Sequence, residues 1–256
     1  MDYLETAIDL CRAAGDILNY YADREKLVEY KGHANLVTIA DKKSEELIID
    51  GILGRYPSHS ILAEESGSTQ PGAAVQWIID PLDGTTNFAH GYPFYCISIA
   101  VEDKGEIQCG AVYDPVRDEM FTAGRGEGAY CNGERLRVSN VSQLSQALLI
   151  TGFPYNFRER LDTVLGQFGK FLVASQAVRR GGSAALDLCY VAAGRIDGFW
   201  ELFLQAWDTA AGRIILEEAG GMVTDFKGGP FSVYMKEILA SNGALHDEML
   251  DVLGRG

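Results

Sequence analysis

At the start of the chain the apolar positions Leu4, Ala7, Ile8, Cys11, Ala14, Ile17 and Leu18 recur at helical spacing and predict an amphipathic helix. A second helix is expected from about Asp41 to Leu53, with Leu47, Ile48 and Ile52 inward and Pro57 beyond its end. From Trp77 to Arg137 the pattern becomes that of strands. Trp77-Ile78-Ile79 is a short buried run, and Tyr95–Val101, Ile107–Tyr113 and Glu119–Ala123 follow. Ala129-Tyr130-Cys131 then meets Asn132-Gly133, a tight-hairpin signal because both central residues accept positive φ.

After about Ser139 strands and helices alternate. Leu148–Thr151 and Ile196–Trp200 read as strands, Arg158–Val173 and Ser183–Ala193 as helices, and Asp208–Ala219 as a helix closed by Gly220-Gly221. Met222–Asp225, Ile238–Ser241 and a helix from about His246 complete the chain. The order predicts a layered α+β and α/β architecture, divided near residue 140 or folded as one compact unit.

Composition narrows the function. Apolar residues make up 47% and charged residues 23%, ordinary for a soluble globular protein whose 256 residues can bury a large core. The net charge of −14 argues against direct nucleic-acid binding. It would also repel an anionic substrate unless bound divalent cations offset the field. The five cysteines contain no C-x-x-C pair, so buried reduced thiols are expected rather than a zinc site or disulfides. The N-terminus has no basic region followed by an apolar stretch, and no apolar run approaches the roughly 20 residues that span a bilayer. A cytoplasmic protein is expected. His33, His59, His90 and His246 lack ligand spacing and read as surface or loop residues.

Three acidic patches carry the candidate chemistry: Ala63-Glu64-Glu65-Ser66, Asp80-Pro81-Leu82-Asp83-Gly84-Thr85-Thr86-Asn87, and Trp207-Asp208-Thr209-Ala210-Ala211-Gly212. A carboxylate at the end of a buried strand is costly unless it is paired, hydrogen-bonded or bound to metal. Asp80 and Asp83 flank a proline, so a turn can aim both at one centre, and the Leu82 carbonyl can add a neutral oxygen. Such oxygen ligands suit Mg2+, and neighbouring ions could clamp the oxygens of a phosphoryl transfer. A helix beginning at Gly84-Thr85 would direct its N–H groups at phosphate. The bland alternative is that each aspartate merely caps a helix.

Trp77–Phe88 and Trp207–Gly212 match the two signatures of the inositol monophosphatase family, and the resemblance runs essentially from end to end, including Leu36-Val37-Thr38 with Asp41 and Gly182 to Asp187. It implies an αβαβα sandwich of the sugar phosphatase type, assembled as a homodimer, with two or three Mg2+ ions. Residue by residue, it implies metal ligands at Glu64, Asp80, the Leu82 carbonyl, Asp83 and Asp208. Glu64 and Thr85 would activate the attacking water, with Asp41 tied to Thr85, and the Gly84 and Thr85 amides would hold phosphate. Gly182, Ser183, Ala184 and Glu201 would line a polyol site, and Arg179 matches a substrate-region arginine. Residues 1–140 would thus carry most metal ligands, and 141–256 would carry Asp208 and the substrate contacts. Asn35 departs from the pattern, standing where the family often has Asp, near a loop expected to bring Lys31 toward the metals.

The implied reaction is direct hydrolysis of a phosphate monoester by a metal-activated water, with myo-inositol monophosphate as the expected substrate and lithium as the expected inhibitor. Fructose-1,6-bisphosphate and histidinol phosphate are the enzymatic alternatives. A protein-interaction role in transcription antitermination is the non-enzymatic one.

Overall fold

The first apolar stripe forms α1 (Tyr3–Ala22), where Ala7, Cys11, Ala14 and Leu18 are fully buried. The structure, a computed structural model, describes residues 3–22, 24, 28–30, 36–70, 72–153 and 157–254; Lys31, His33 and Asn35 lie outside the described residues. β1 (Val28–Tyr30) and β2 (Leu36–Thr38) pair antiparallel and lead into α2 (Ile39–Arg55). β3 (Ser60–Ala63), β4 (Gly67–Thr69) and β5 (Val75–Asp83) precede the short α3 (Thr85–His90). β6 (Cys96–Asp103), β7 (Glu106–Asp114), β8 (Glu119–Gly124), β9 (Gly128–Cys131) and β10 (Glu134–Arg135) then run as an antiparallel meander. Together they make an eight-stranded sheet of order β10-β9-β8-β7-β6-β5-β3-β4, in which β3 and β5 form the parallel pair.

The remainder comprises β11 (Leu148–Thr151), α4 (Leu161–Ala174), β12 (Ala177–Arg180), α5 (Ala184–Ala192), β13 (Gly198–Leu202), α6 (Ala206–Glu218), β14 (Met222–Thr224), β15 (Glu237–Ser241) and α7 (His246–Leu253). Its five strands form a mixed sheet of order β12-β11-β13-β15-β14.

Side-chain alternation explains the layering. Trp77 and Ile79 of β5 join the core beneath α1 and α2, whereas Ile78 joins the core shared with α5 and α6. The sheet is therefore buried on both faces, which is why its central strands read as near-continuous apolar runs. α4 and α7 pack on the five-stranded sheet around Phe171, Trp200 and Met249. The order is helices, sheet, helices, sheet, helices, the αβαβα sandwich expected from the resemblance.

Several boundaries move for local reasons. α2 begins at Ile39 because Thr38 caps it: its Oγ1 accepts the Ala40 amide at 3.2 Å, and Asp41 accepts the Thr38 amide at 2.7 Å. α6 likewise begins at Ala206, so Asp208 sits in its first turn rather than at its start. The expected helix from Arg158 opens with a 3-10 turn over Phe157–Arg160. Asn132 and Gly133 take φ of 49° and 85°, as the hairpin requires. His246 corrects the surface reading: it is buried, with its ring nitrogens 2.9 Å from Ser241 Oγ and 2.8 Å from Thr224 Oγ1. The cysteines are thiols, Cys131 half-buried and the others buried. No described helix is long and apolar enough to cross a membrane.

One close approach holds α6 on the large sheet. A Cβ on Gly110 of β7 would lie 2.8 Å from Ala211 Cα and 2.9 Å from Ile214 Cγ2. Gly110→Val should therefore destabilise the fold by about 1–3 kcal/mol through overpacking, measured as a lowered urea midpoint at unchanged slope.

Candidate metal and phosphate site

Asp80 and Asp83 owe their convergence to an irregular strand. In a regular strand residues three apart face opposite sides. Here β5 gains a residue against β6: Asp80 pairs with Ser98 but Asp83 with Cys96. Pro81, which lacks an N–H for the ladder, sits inside this bulge. Both carboxylates consequently serve one centre. Asp208 joins from α6, and the ligating oxygens of Asp80, Asp83 and Asp208 lie within 4.8 Å of one another. Glu64 follows β3, has its amide on the Ile79 carbonyl at 3.3 Å, and lines the same cavity.

Each carboxylate is held by local donors. Asp80 Oδ1 accepts the Leu82 amide at 3.0 Å. Asp83 Oδ2 accepts Ser183 Oγ at 2.7 Å and the Ala185 amide at 2.8 Å. Asp208 Oδ2 accepts the Gln205 amide at 2.6 Å. In each case the other oxygen accepts none of these bonds. Among the described residues no lysine or arginine lies within ion-pair distance of the three.

Burial and mutual repulsion dominate the electrostatics. Asp80, 1% exposed, is pushed well above the usual carboxylate range by burial and then by Glu64, Asp83 and Asp208. Burial raises Asp83 to about 6 against the pull of its Ser183 and Ala185 donors. Burial, then Asp83, raises Asp208 to about 7, opposed by the Gln205 amide and Lys236. A water-poor, all-oxygen donor set with excess negative charge fits a hard divalent cation, whose charge would favour the ionised carboxylates.

The turn into α3 follows at once along the chain. Gly84 takes φ of 99°, and a Cβ there would be 3.0 Å from the Phe94 carbonyl oxygen, so both conformation and space require glycine. α3 then starts at Thr85, whose Oγ1 donates to Asp41 Oδ1 at 3.0 Å and to the Leu82 carbonyl at 3.1 Å. Asp41 is fully buried, and burial raises it to about 6 although two bonds from Thr38 oppose the shift.

These groups border a cavity of about 650 Å³. Glu64, Asp83, Gly84 and Asp208 lie on its wall, as do Gly182, Ser183, Ala184 and Glu201. Asp80 is not a lining residue, and Thr85 and Asp41 lie behind Gly84 through the hydrogen bonds just described. Glu201, on β13, is raised well above its usual range by burial and by Asp208, with Arg180 partly relieving it. Arg179 is the exception. It is exposed and outside the cavity, because alternation along β12 sends Arg180 to the cavity instead. Sequence reasoning also missed Lys236, Phe153 and Phe203, which line the cavity from loops without periodic signal. It left unexplained Asp187, fully buried and with both carboxylate oxygens lacking a hydrogen-bond partner among the described residues.

The inositol monophosphatase family model matches residues 1–254. Nus factor SuhB of Escherichia coli (strain K12) is 44% identical over 263 residues, covering 98% of each chain. The structure of inositol monophosphatase from Anabaena (Nostoc) sp. PCC 7120 superposes with a TM-score of 0.90 at 44% identity, covering 98% of this chain and 94% of that one. The extragenic suppressor protein suhB from Bartonella henselae gives 0.93 at 40% identity, with 98% of each chain covered.

The raised carboxyls set a pH dependence. Asp41, Asp83 and Asp208 keep their protons to higher pH when folded than when unfolded, so ionising them costs stability. In chelator, the melting temperature should fall as pH rises from about 4 to about 7, the range between ordinary and raised values. A divalent cation bound by these carboxylates should restore more stability at the upper end of that range than at the lower, as scanning fluorimetry would show.

Proposed function

Because the chain belongs to the inositol monophosphatase family, we propose that it is a Mg2+-dependent phosphatase that cleaves myo-inositol monophosphate to inositol and phosphate. The observation that carries this reading is the convergence of Asp80, Asp83 and Asp208 beside the Gly84-Thr85 turn. Held by Glu64, Asp80, the Leu82 carbonyl, Asp83 and Asp208, two or three Mg2+ would lower the pKa of water and neutralise phosphoryl oxygens.

The side chains divide the remaining work. Thr85 directs its hydroxyl proton toward Asp41 and Leu82, so its oxygen can accept a hydrogen bond from the attacking water. Asp41, raised to about 6, is suited to share that proton. Glu64 orients the water from the other side, for in-line attack on phosphorus. The Gly84 and Thr85 amides hold phosphoryl oxygens, favouring the charge that develops there. Gly182, Ser183, Ala184 and Glu201 receive the hydroxyls of the leaving group, with Arg180 rather than Arg179 beside them. A cysteinyl-phosphate route is disfavoured, since burial pushes the Cys96 thiol far up.

The test is a rate panel of inositol monophosphate, fructose-1,6-bisphosphate and histidinol phosphate with Mg2+, with chelator and with added Li+. Inositol monophosphate should be fastest, chelator should abolish turnover, and Li+ should inhibit. Asp83→Asn or Asp208→Asn should abolish activity while circular dichroism stays unchanged. Activity indifferent to chelation would overturn the proposal.

A homodimer is supported by α4, which exposes Leu165, Leu172 and Val173 next to the edge strand β12. Leu172→Glu should convert the dimer to a monomer in light scattering. A second role, as a protein-interaction module in transcription antitermination, is favoured by relatives called Nus factor SuhB at 44% identity. The acidic balance suits a protein partner better than RNA, and a cytoplasmic location accords with both roles. Pull-downs with wild type and Asp208→Asn separate the roles: an interaction that survives the catalytic lesion is independent of turnover.

A further inference from the structure

α2 turns three polar side chains inward where an amphipathic helix would bury apolar ones. Asp41 and Ser44 are fully buried and Glu45 is 5% exposed. Spaced i, i+3 and i+4, they share one face, and each reaches a different segment of the site. Asp41 takes the Thr85 hydroxyl. Ser44 Oγ donates to the Pro81 carbonyl at 2.9 Å, inside the bulge between Asp80 and Asp83. Glu45 Oε2 accepts the Glu65 amide at 2.9 Å, and the amide and hydroxyl of neighbouring Ser66 favour its ionised form.

We propose that Glu45 is a positioning residue for Glu64. Glu64 lies between two anchored points of backbone: its own amide is tied to Ile79 of β5, and the next amide is tied to Glu45. That arrangement brackets the backbone dihedrals of Glu64 and fixes the direction from which its carboxylate acts on Asp80. Only a carboxylate can do this with one side chain. Both its oxygens can face the Glu65 amide and the Ser66 donors, whereas a glutamine presents a single acceptor oxygen and sets its N–H groups against the other donors. A buried acid beside Glu65 is costly, and the charge-assisted bonds to the turn offset that cost. Glu45 itself touches neither cation nor substrate. The inference rests on the metal-site reading of Glu64, and its test separates the two.

Glu45→Gln should keep the native circular dichroism and a substrate KM within about twofold, while Mg2+ affinity by isothermal titration calorimetry and kcat each fall about 10–100-fold, the usual effect of losing a residue that orients a ligand. Ile48→Val, on the same helix but in the apolar core, should lower the melting temperature and leave Mg2+ affinity unchanged. Ser66→Ala removes a hydroxyl that favours the ionised form of the same carboxylate, at an exposed position, and should weaken Mg2+ in the same direction by a smaller factor. Wild-type Mg2+ affinity in Glu45→Gln overturns the proposal, as does wild-type affinity in Ser66→Ala should Glu45→Gln fail to fold. If the wild type binds Mg2+ but cleaves no phosphate ester, the functional reading fails; weakened Mg2+ binding in Glu45→Gln would still support positioning.

Discussion

Three carboxylates, two of them nearly sealed from water, face one another within 4.8 Å, and the surrounding architecture can be understood as the response to that repulsion. Each is given hydrogen-bond donors from its own segment or from a neighbour: Leu82 for Asp80, Ser183 and Ala185 for Asp83, Gln205 for Asp208. These donors reduce the cost of charge without neutralising it, since among the described residues no lysine or arginine lies within ion-pair distance of the three. The fold thus holds a concentrated negative charge ready for a divalent partner. The same field raises Glu201 across the cavity, where Arg180 is the moderating cation.

The site draws on segments far apart in the chain, and its geometry is set by backbone irregularities. The bulge at Pro81 turns two aspartates to one side, the positive φ of Gly84 starts α3, and α2 ties the loops from beneath. Asn87 extends the same logic outward, donating to the Phe94 carbonyl at 2.7 Å and to the Gly181 carbonyl at 3.1 Å. It thereby joins the start of α3 to the loop that carries Gly182 and Ser183 on the cavity wall.

Much of this was legible because contiguous residues carry it. Asp80 to Thr85 and Trp207 to Gly212 are compact motifs, and the buried runs of β5 and β6 announce a sheet covered on both faces. What the motif could not reveal was that Asp80 and Asp83 sit on one bulged strand rather than on a turn. Adjacent arginines differ only in the face each takes, and with β12 unrecognised nothing distinguished Arg179 from Arg180. α2 hides part of its purpose for the opposite reason: Ser44 and Glu45, polar residues next to the expected Asp41, are buried and face inward with it. His246 was misread because its partners, Ser241 and Thr224, belong to strands brought to it by tertiary pairing.

The contact at Gly110 has a bearing on how rigidly the carboxylates are spaced. Because the backbone of α6 rests directly on β7 there, the spacing between Asp208 and the Asp80–Asp83 pair is set by atomic radii rather than by adjustable side chains. Such a gauge resists widening. A helix seated on a glycine therefore limits how far the first turn of α6, and Asp208 with it, can move from the sheet that carries Asp80 and Asp83.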